Sequence, residues 1–226
     1  MIRGRLILVL AAVVGLAVTA CGGSSGASGS PAASGRPSAM PAGTYNSTSF
    51  VPAVTYTVSD GWVQVSDNAG YLAIQPAATD AVGIYLFHNV SAGIQDAQCS
   101  AAAQPGVGTS SVELSTWIRS LPGLSVSAPA LVTIGGIPGT SLDISLKSSW
   151  TTSCPFAGGL PAVPLLFSSE IDHWVVVGNE QLRLYLLEVP GQGTVLVDID
   201  AFDGSQFQAL LAAATPVVKS LTFAGK

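Results

Sequence analysis

Charge is what this sequence of 226 residues most lacks. Asp, Glu, Lys and Arg make up 9% of it, against roughly 25% in an ordinary soluble domain. Its polar surface must therefore come mainly from Ser, Thr, Asn, Gln and backbone. Basic residues are the scarcer kind, 8 Lys and Arg against 13 Asp and Glu. Arg119, Lys147, Arg183 and Lys219 lie far apart, so the clustered basic face that neutralises a phosphate backbone is missing and no nucleic-acid partner is expected. Histidine occurs twice, as His88 and His173. Without His-x-x-x-His or paired-cysteine spacing, the usual zinc ligand sets are absent and no metal or cofactor is expected. The apolar run Leu6 to Val18 falls short of the roughly 20 residues that span a bilayer.

That run does have an address. Arg3 and Arg5 precede it, it holds no charge and no proline, and small residues follow, which is the layout of an export signal. It ends in Val18-Thr19-Ala20-Cys21, which resembles the lipobox of bacterial lipoproteins. In such proteins the cysteine thiol is acylated and becomes the mature N-terminus, and each buried methylene contributes about 0.8 kcal/mol. The expected organisation is a signal peptide at 1–20, a lipidated Cys21 opening a tether at 21–44, and one globular domain at 45–226. The lipid, palmitate among its acyl chains, would hold the domain on the extracytoplasmic face of the cell membrane. The alternative is cleavage after Ala20 with Cys21 left as a free thiol. Losing Arg3 and Arg5 leaves the mature chain with six basic residues against 13 acidic ones. Gly22 to Gly43 is built almost wholly of Gly, Ser, Ala and Pro with Arg36 its one charge, a composition that stays flexible. Gly22-Gly23-Ser24-Ser25-Gly26 matches the Gly-x-Ser-x-Gly pattern of serine hydrolases, but a lipidated cysteine is expected before it and a flexible tether after it, in place of the strand and helix that hold such a serine on a strained elbow.

With Cys21 assigned to lipid, Cys99 and Cys154 remain of three cysteines, and two thiols in an oxidising compartment are expected to pair. Chain entropy sets the gain at about 4 kcal/mol at most. The competing reading, a redox-active pair, normally takes Cys-x-x-Cys spacing at a helix N-terminus.

Two helices are legible. Ser110 with Glu113 makes a capping box, and Leu114, Trp117, Ile118 and Leu121 form one face before Pro122-Gly123. The second opens at Asp203 with Gln206 three residues on, carries Phe207, Leu210, Leu211 and Ala214, and is expected to end or kink at Pro216. Strands are read at 55–58, 62–66, 71–75, 82–88, 131–134, 139–146, 165–168, 174–177, 182–189 and 195–201. Val195, Val197, Ile199 and Ala201 alternate with Leu196, Asp198 and Asp200, which implies one covered and one wetter face. Turns at Gly135-Gly136, Gly178-Asn179 and Gly191-Gln192-Gly193 imply antiparallel hairpins. The expected fold class is α+β, an antiparallel sheet with a central and a C-terminal helix packed on it, with an all-β sandwich as runner-up.

Several of these elements recur together elsewhere. Ser59-Asp60-Gly61-Trp62 after an extended stretch, a central capped helix, the hairpin Val132-Thr133-Ile134-Gly135-Gly136-Ile137-Pro138-Gly139, and a closing helix before Ser220-Leu221-Thr222-Phe223 resemble the PsbP/Mog1-like α/β/α sandwich domains found in actinobacterial lipoproteins. The resemblance covers about Phe50 to Phe223. It implies a fold used mostly for binding and assembly, and it supplies no catalytic residue.

Candidate chemistry is sparse. Glu170, Asp172 and His173 form the best local cluster for a metal or for acid–base work, set against a solvated acidic loop. Asp198 and Asp200 share a strand face near Asp203, an arrangement open to calcium or to paired carboxylates; the competing explanation is that they mark the sheet's solvent face while Asp203 caps a helix. Any Ser-His-Asp triad would have to use His88 or His173. Trp150 and Phe156, in the loop around Cys154, are the candidate binding surface, against the alternative that Trp150 only shields the disulfide. The expectation is a non-catalytic module that docks on an envelope protein. The alternative is a carrier or sensor of an apolar or glycan ligand, which predicts a sizeable cavity.

Overall fold

In the computed structural model, residues 37–79 and 81–224 are described; the leader, Cys21 and the tether as far as residue 36 lie outside them. The chain enters the fold at β1 (Gly43–Asn46), inside the stretch assigned to the tether. Met40 bridges Trp62, and Gly43 and Thr44 pair with Val58 and Thr57. Backbone pairing thus recruits residues whose side chains could build no core of their own.

The elements that follow are β2 (Val54–Val58), β3 (Trp62–Asp67), β4 (Tyr71–Pro76), β5 (Val82–His88) and β6 (Ser91–Ala92), then α1 (Ser111–Ser120). Next come β7 (Leu124–Val126), β8 (Ala130–Ile134), β9 (Ile137–Leu146), β10 (Ala162–Ser168), β11 (Asp172–Val177), β12 (Gln181–Val189) and β13 (Gly193–Ala201). A 3-10 turn at Gly204–Gln206 leads into α2 (Phe207–Ser220) and β14 (Thr222–Phe223). The large sheet is antiparallel in the order β3-β4-β5-β13-β12-β9-β7, with β8 on the remaining part of β9's edge. The domain is α+β as its pattern implied. Each face of its large sheet carries a helix beside a small sheet, so the runner-up all-β sandwich does not describe it.

Both faces of this sheet are covered. On one, Leu72, Ile84, Val195, Val197 and Ile199 pack beneath Phe207, Leu210, Ala214 and Val218 of α2 and beneath Val54, Tyr56 and Phe223 of the small sheet β1-β2-β14. On the other, Tyr85, Phe87, Leu184 and Leu196 pack beneath Leu114 and Ile118 of α1 and beneath Val163, Leu165 and Val176 of the small sheet β6-β10-β11. The strand β13 runs through the middle, and every one of its residues after Gly193 is buried.

Local chemistry accounts for the helix ends. Ser110 Oγ accepts the Glu113 N–H, and the Glu113 carboxylate accepts the Ser110 N–H, which satisfies two donors that a helix start leaves open. Asp203 caps the 3-10 turn by accepting the Ser205 N–H at 3.0 Å. The expected break at Pro216 does not occur, and α2 continues to Ser220. Proline costs the helix one hydrogen bond, but the carbonyl it would have bonded belongs to exposed Ala212, while Val217 and Val218 beyond it are anchored in the core.

Two further expectations are corrected. Gly178-Asn179 does not close a hairpin: β11 pairs with β10, whereas β12 pairs with β13 and β9, so this turn carries the chain from the outer layer to the central sheet. His173 lies within β11 and pairs with Phe167 rather than in a loop.

Candidate functional site

Asp198 and Asp200 are the sharpest departure from expectation. They are not on a solvent face: Asp198 is 0% and Asp200 6% exposed. Alternation assigned them correctly to the face opposite Val197 and Ile199, but β10 and β11 form a second layer over it. Trp174 of β11 reaches across and donates its indole Nε1–H to Asp198 Oδ2 at 3.0 Å. The ring is wedged by Tyr85 at 4.9 Å and Phe87 at 5.0 Å between centroids, and Tyr71 stacks on Tyr85.

A third carboxyl joins them. Glu180, 5% exposed, ends the turn after β11. Its Oε2 accepts the Val177 N–H at 2.6 Å, and its carboxyl lies beside that of Asp200. Among the described residues no cationic side chain forms an ion pair with any of the three. The pair present, Arg183 with Asp143 at 2.5 Å, lies on the other face of the central sheet beside Tyr185. Oδ1 of Asp198 and Oδ1 of Asp200 are buried and receive no hydrogen bond.

Buried charge without compensation is expensive, and such groups neutralise instead. Burial accordingly pushes the carboxyls of Asp198 and Asp200 well above the ordinary carboxylate range; the Glu180 charge pushes Asp198 further, and the charges of Asp198 and Glu180 do the same to Asp200. Glu180 is raised by burial too, against the pull of its Asp200 and Val177 contacts.

Above Asp200 and Glu180 the layers part into a cleft of about 490 Å³. Its walls are Tyr85, Phe156, His173, Trp174 and Phe202. Phe156 stacks on His173 with centroids 4.5 Å apart, and His173 Nδ1 is buried without a partner. Tyr85 is seated by Gly83, where an added Cβ would come 2.8 Å from the phenol ring, and its hydroxyl accepts a hydrogen bond from Gln75 Nε2 at 2.9 Å. Burial raises the pKa of Tyr85 above the ordinary phenol value.

The other candidates separate. Glu170 turns away from His173, packs over Gly70 and lines a smaller hollow of about 230 Å³ with His88. His88 Nε2 donates to the Gln192 carbonyl at 2.7 Å, a structural bond between strand and turn. Asp172 is exposed at positive φ. Among the described residues no group of three His, Cys, Asp or Glu side chains is disposed to hold a metal ion. The candidate surface divides as well: Phe156 reaches the cleft, whereas Trp150 lies against Gly123, donates to the Ala162 carbonyl at 3.0 Å and lines a separate hollow. Cys99 and Cys154 are joined, with Cα atoms 5.6 Å apart, two residues before Phe156.

No protein-family model and no curated protein matches this chain. Among solved structures it is similar to cyanobacterial PsbP (CyanoP) from Synechocystis sp. PCC 6803, at 11% identity over 88% of this chain and 99% of that one, with a TM-score of 0.41. It is also similar to LpqN, described as involved in cell envelope biogenesis of Mycobacterium tuberculosis, at 17% identity over 81% of this chain and 85% of that one, with a TM-score of 0.41.

Sequence reasoning missed Glu180, Tyr85 and Phe202. Glu180 stands in a turn without periodicity and gave no signal. One clue to the buried acids was present: Leu196 shares a face with Asp198 and Asp200, and a large aliphatic beside two acids in a central strand does not suit an open, wet face.

Proposed function

We propose that this chain is an extracytoplasmic, lipid-anchored binding module that acts without catalysis, with the cleft between Phe156 and Phe202 as its recognition site. One observation carries this reading: the walls of a cleft that also includes Asp200, Glu180 and His173 hold two large aromatic side chains left half exposed, Phe156 at 52% and Phe202 at 51%. Neither position is needed to close a core. Aromatic walls converging on a few polar groups are the common form of a small-ligand site. The volume favours a small molecule or a single protruding side chain over the flat surface that docking of a whole protein face would use.

The lipobox at Val18 to Cys21 supports the anchor, and the Cys99–Cys154 bond supports an oxidising compartment. Native mass spectrometry of the full-length protein, extracted from membranes in mild detergent and purified without added ligand, tests the reading. A small-molecule adduct that disappears in Phe202→Ala is the expected result. A bare protein, or an adduct indifferent to both Phe202→Ala and Phe156→Ala, would overturn it.

A further inference from the structure

We infer that the cleft takes a short extended peptide, which adds to the outer edge of β11 as a further strand and lays apolar side chains on Phe156 and Phe202. This rests on the reading of the cleft as a binding site and adds the class of its ligand.

The ground is the backbone of β11. This strand ends the small sheet β6-β10-β11 and pairs on one side alone, with β10. Val175 stands opposite Pro164 in that pairing. Pro164 has no N–H to give, and its carbonyl accepts Gln95 Nε2 at 2.8 Å. Two residues along, Val177 stands opposite Ala162, whose N–H goes to the Thr152 carbonyl and whose own carbonyl accepts Trp150 Nε1–H. The N–H and C=O groups of Val175 and Val177 therefore point away from β10, as those of alternate residues in an antiparallel edge strand do. At Val177 both are met by Glu180, the N–H by its carboxylate and the carbonyl by its backbone N–H at 3.1 Å. At Val175 neither is met among the described residues. That is one open rung of a ladder, and the same alternation turns the backbone of His173 to the same side.

The surroundings decide the occupant. Val175 and Val177 line the cleft together with His173 and Trp174, so the open edge runs along it. Strand edges are usually blunted by charge, proline or a covering segment, yet Trp174-Val175-Val176-Val177 holds β-branched residues and no charge. A donor and an acceptor on one edge residue match the backbone of one residue in an extended chain, whose alternate side chains then supply specificity. The side chain opposite Val175 falls on the face where Phe156 stacks on His173, and those of its neighbours fall on the face of Trp174, toward Phe202, because successive residues of a strand point to opposite sides. One extended segment thus covers both half-exposed phenylalanines. A lone apolar molecule would leave the rung open. The cleft of about 490 Å³ has room for a few residues of peptide but not for the edge of a second folded copy, which carries its own flanking layers.

The probes are blocked pentapeptides, acetyl-Ser-Val-Xaa-Val-Ser-amide with Phe, Leu, Val or Thr at the centre, titrated calorimetrically into the full-length protein in detergent. At least one is expected to bind, and Phe202→Ala to weaken it at least about tenfold. Two versions of the binding peptide, N-methylated at the central residue or at the one after it, separate strand pairing from apolar contact. Successive N–H groups of an extended chain point to opposite sides, so one version and only one is expected to lose at least about tenfold. Val175→Pro removes the N–H from the open edge, a position where proline is tolerated, and is expected to lose as much. Thermal melting verifies that this variant folds, and the methylated peptides need no variant. Equal affinity for the parent and both methylated peptides, or an equal loss in both, would overturn strand addition, while a continued dependence on Phe202 would leave the binding cleft standing. No binding by any of the peptides would overturn the peptide as ligand, and a native adduct lost in Phe202→Ala would still support the cleft by itself.

Discussion

Trp174 and Asp198 stand on different layers of the fold, and the 3.0 Å bond from indole nitrogen to carboxyl oxygen links the outer strand β11 to the centre of the large sheet. Trp174→Phe removes the donor and leaves a fully buried carboxyl with neither oxygen bonded. It is expected to destabilise the protein by about 1–3 kcal/mol. In an Asp198→Val background the same substitution should cost much less. Urea unfolding of the four proteins of this cycle measures the coupling; equal costs in both backgrounds would show that the bond contributes nothing.

The pH dependence of stability has a definite sign. Asp198, Asp200 and Glu180 have folded-state values raised above their unfolded ones, chiefly by burial. The folded state therefore holds more protons than the unfolded one above about pH 4, and stability falls as pH rises from there through the raised values. Asp67 acts oppositely: against partial burial, hydrogen bonds from Thr48, Ser49 and Phe50 hold it below the usual range, so its smaller, solvent-screened contribution is lost on acidification. Unfolding midpoints should drop as pH rises above about 4, and Asp198→Asn should flatten that slope.

Reduction of the disulfide should destabilise the domain by up to about 4 kcal/mol, since it frees a long loop in the unfolded chain. Phe156 lies just beyond Cys154 and stacks on His173, so the same treatment should weaken ligand capture at the cleft. Midpoints and calorimetric affinities, with and without reductant, check both effects.

Gly83→Ala places a methyl group 2.8 Å from the Tyr85 ring and 3.0 Å from Gln75 Cγ. Tyr85 is held by Trp174 and by the Gln75 bond and has little room to yield. A loss of about 1–3 kcal/mol is expected, with a change in near-ultraviolet circular dichroism as the Tyr85 and Trp174 rings shift. A variant indistinguishable from the parent would show this packing to be loose.

At the anchor, Cys21→Ser should move the protein from the membrane fraction to the soluble one and remove the acyl mass from its N-terminus. An unmodified N-terminus in the parent protein, read by mass spectrometry, would contradict the lipobox reading.

Much of the fold was legible residue by residue. The strand at Val82–His88 falls where the pattern of aromatic and β-branched residues put it, Ser110 and Glu113 cap α1 reciprocally, and Cys99 pairs with Cys154. These features are local, or follow from elimination among very few residues, and local chemistry is what a sequence records directly. The short strands β1, β6, β7 and β14 were not legible, because so few residues carry no period and only a partner strand defines them.

The site belongs to the other category. Alternation along β13 determined that Asp198 and Asp200 share a face, since successive side chains in a strand point to opposite sides. It could not determine what covers that face. The covering layer comes from β10 and β11, brought in by a turn at Gly178-Asn179 that reads locally as a hairpin and in fact joins two sheets. Tertiary structure alone set Glu180 against Asp200, brought Phe156 to His173 and drew Glu170 away from it. Those are contacts between layers, chosen by how apolar faces stack, and no interval along the chain encodes them.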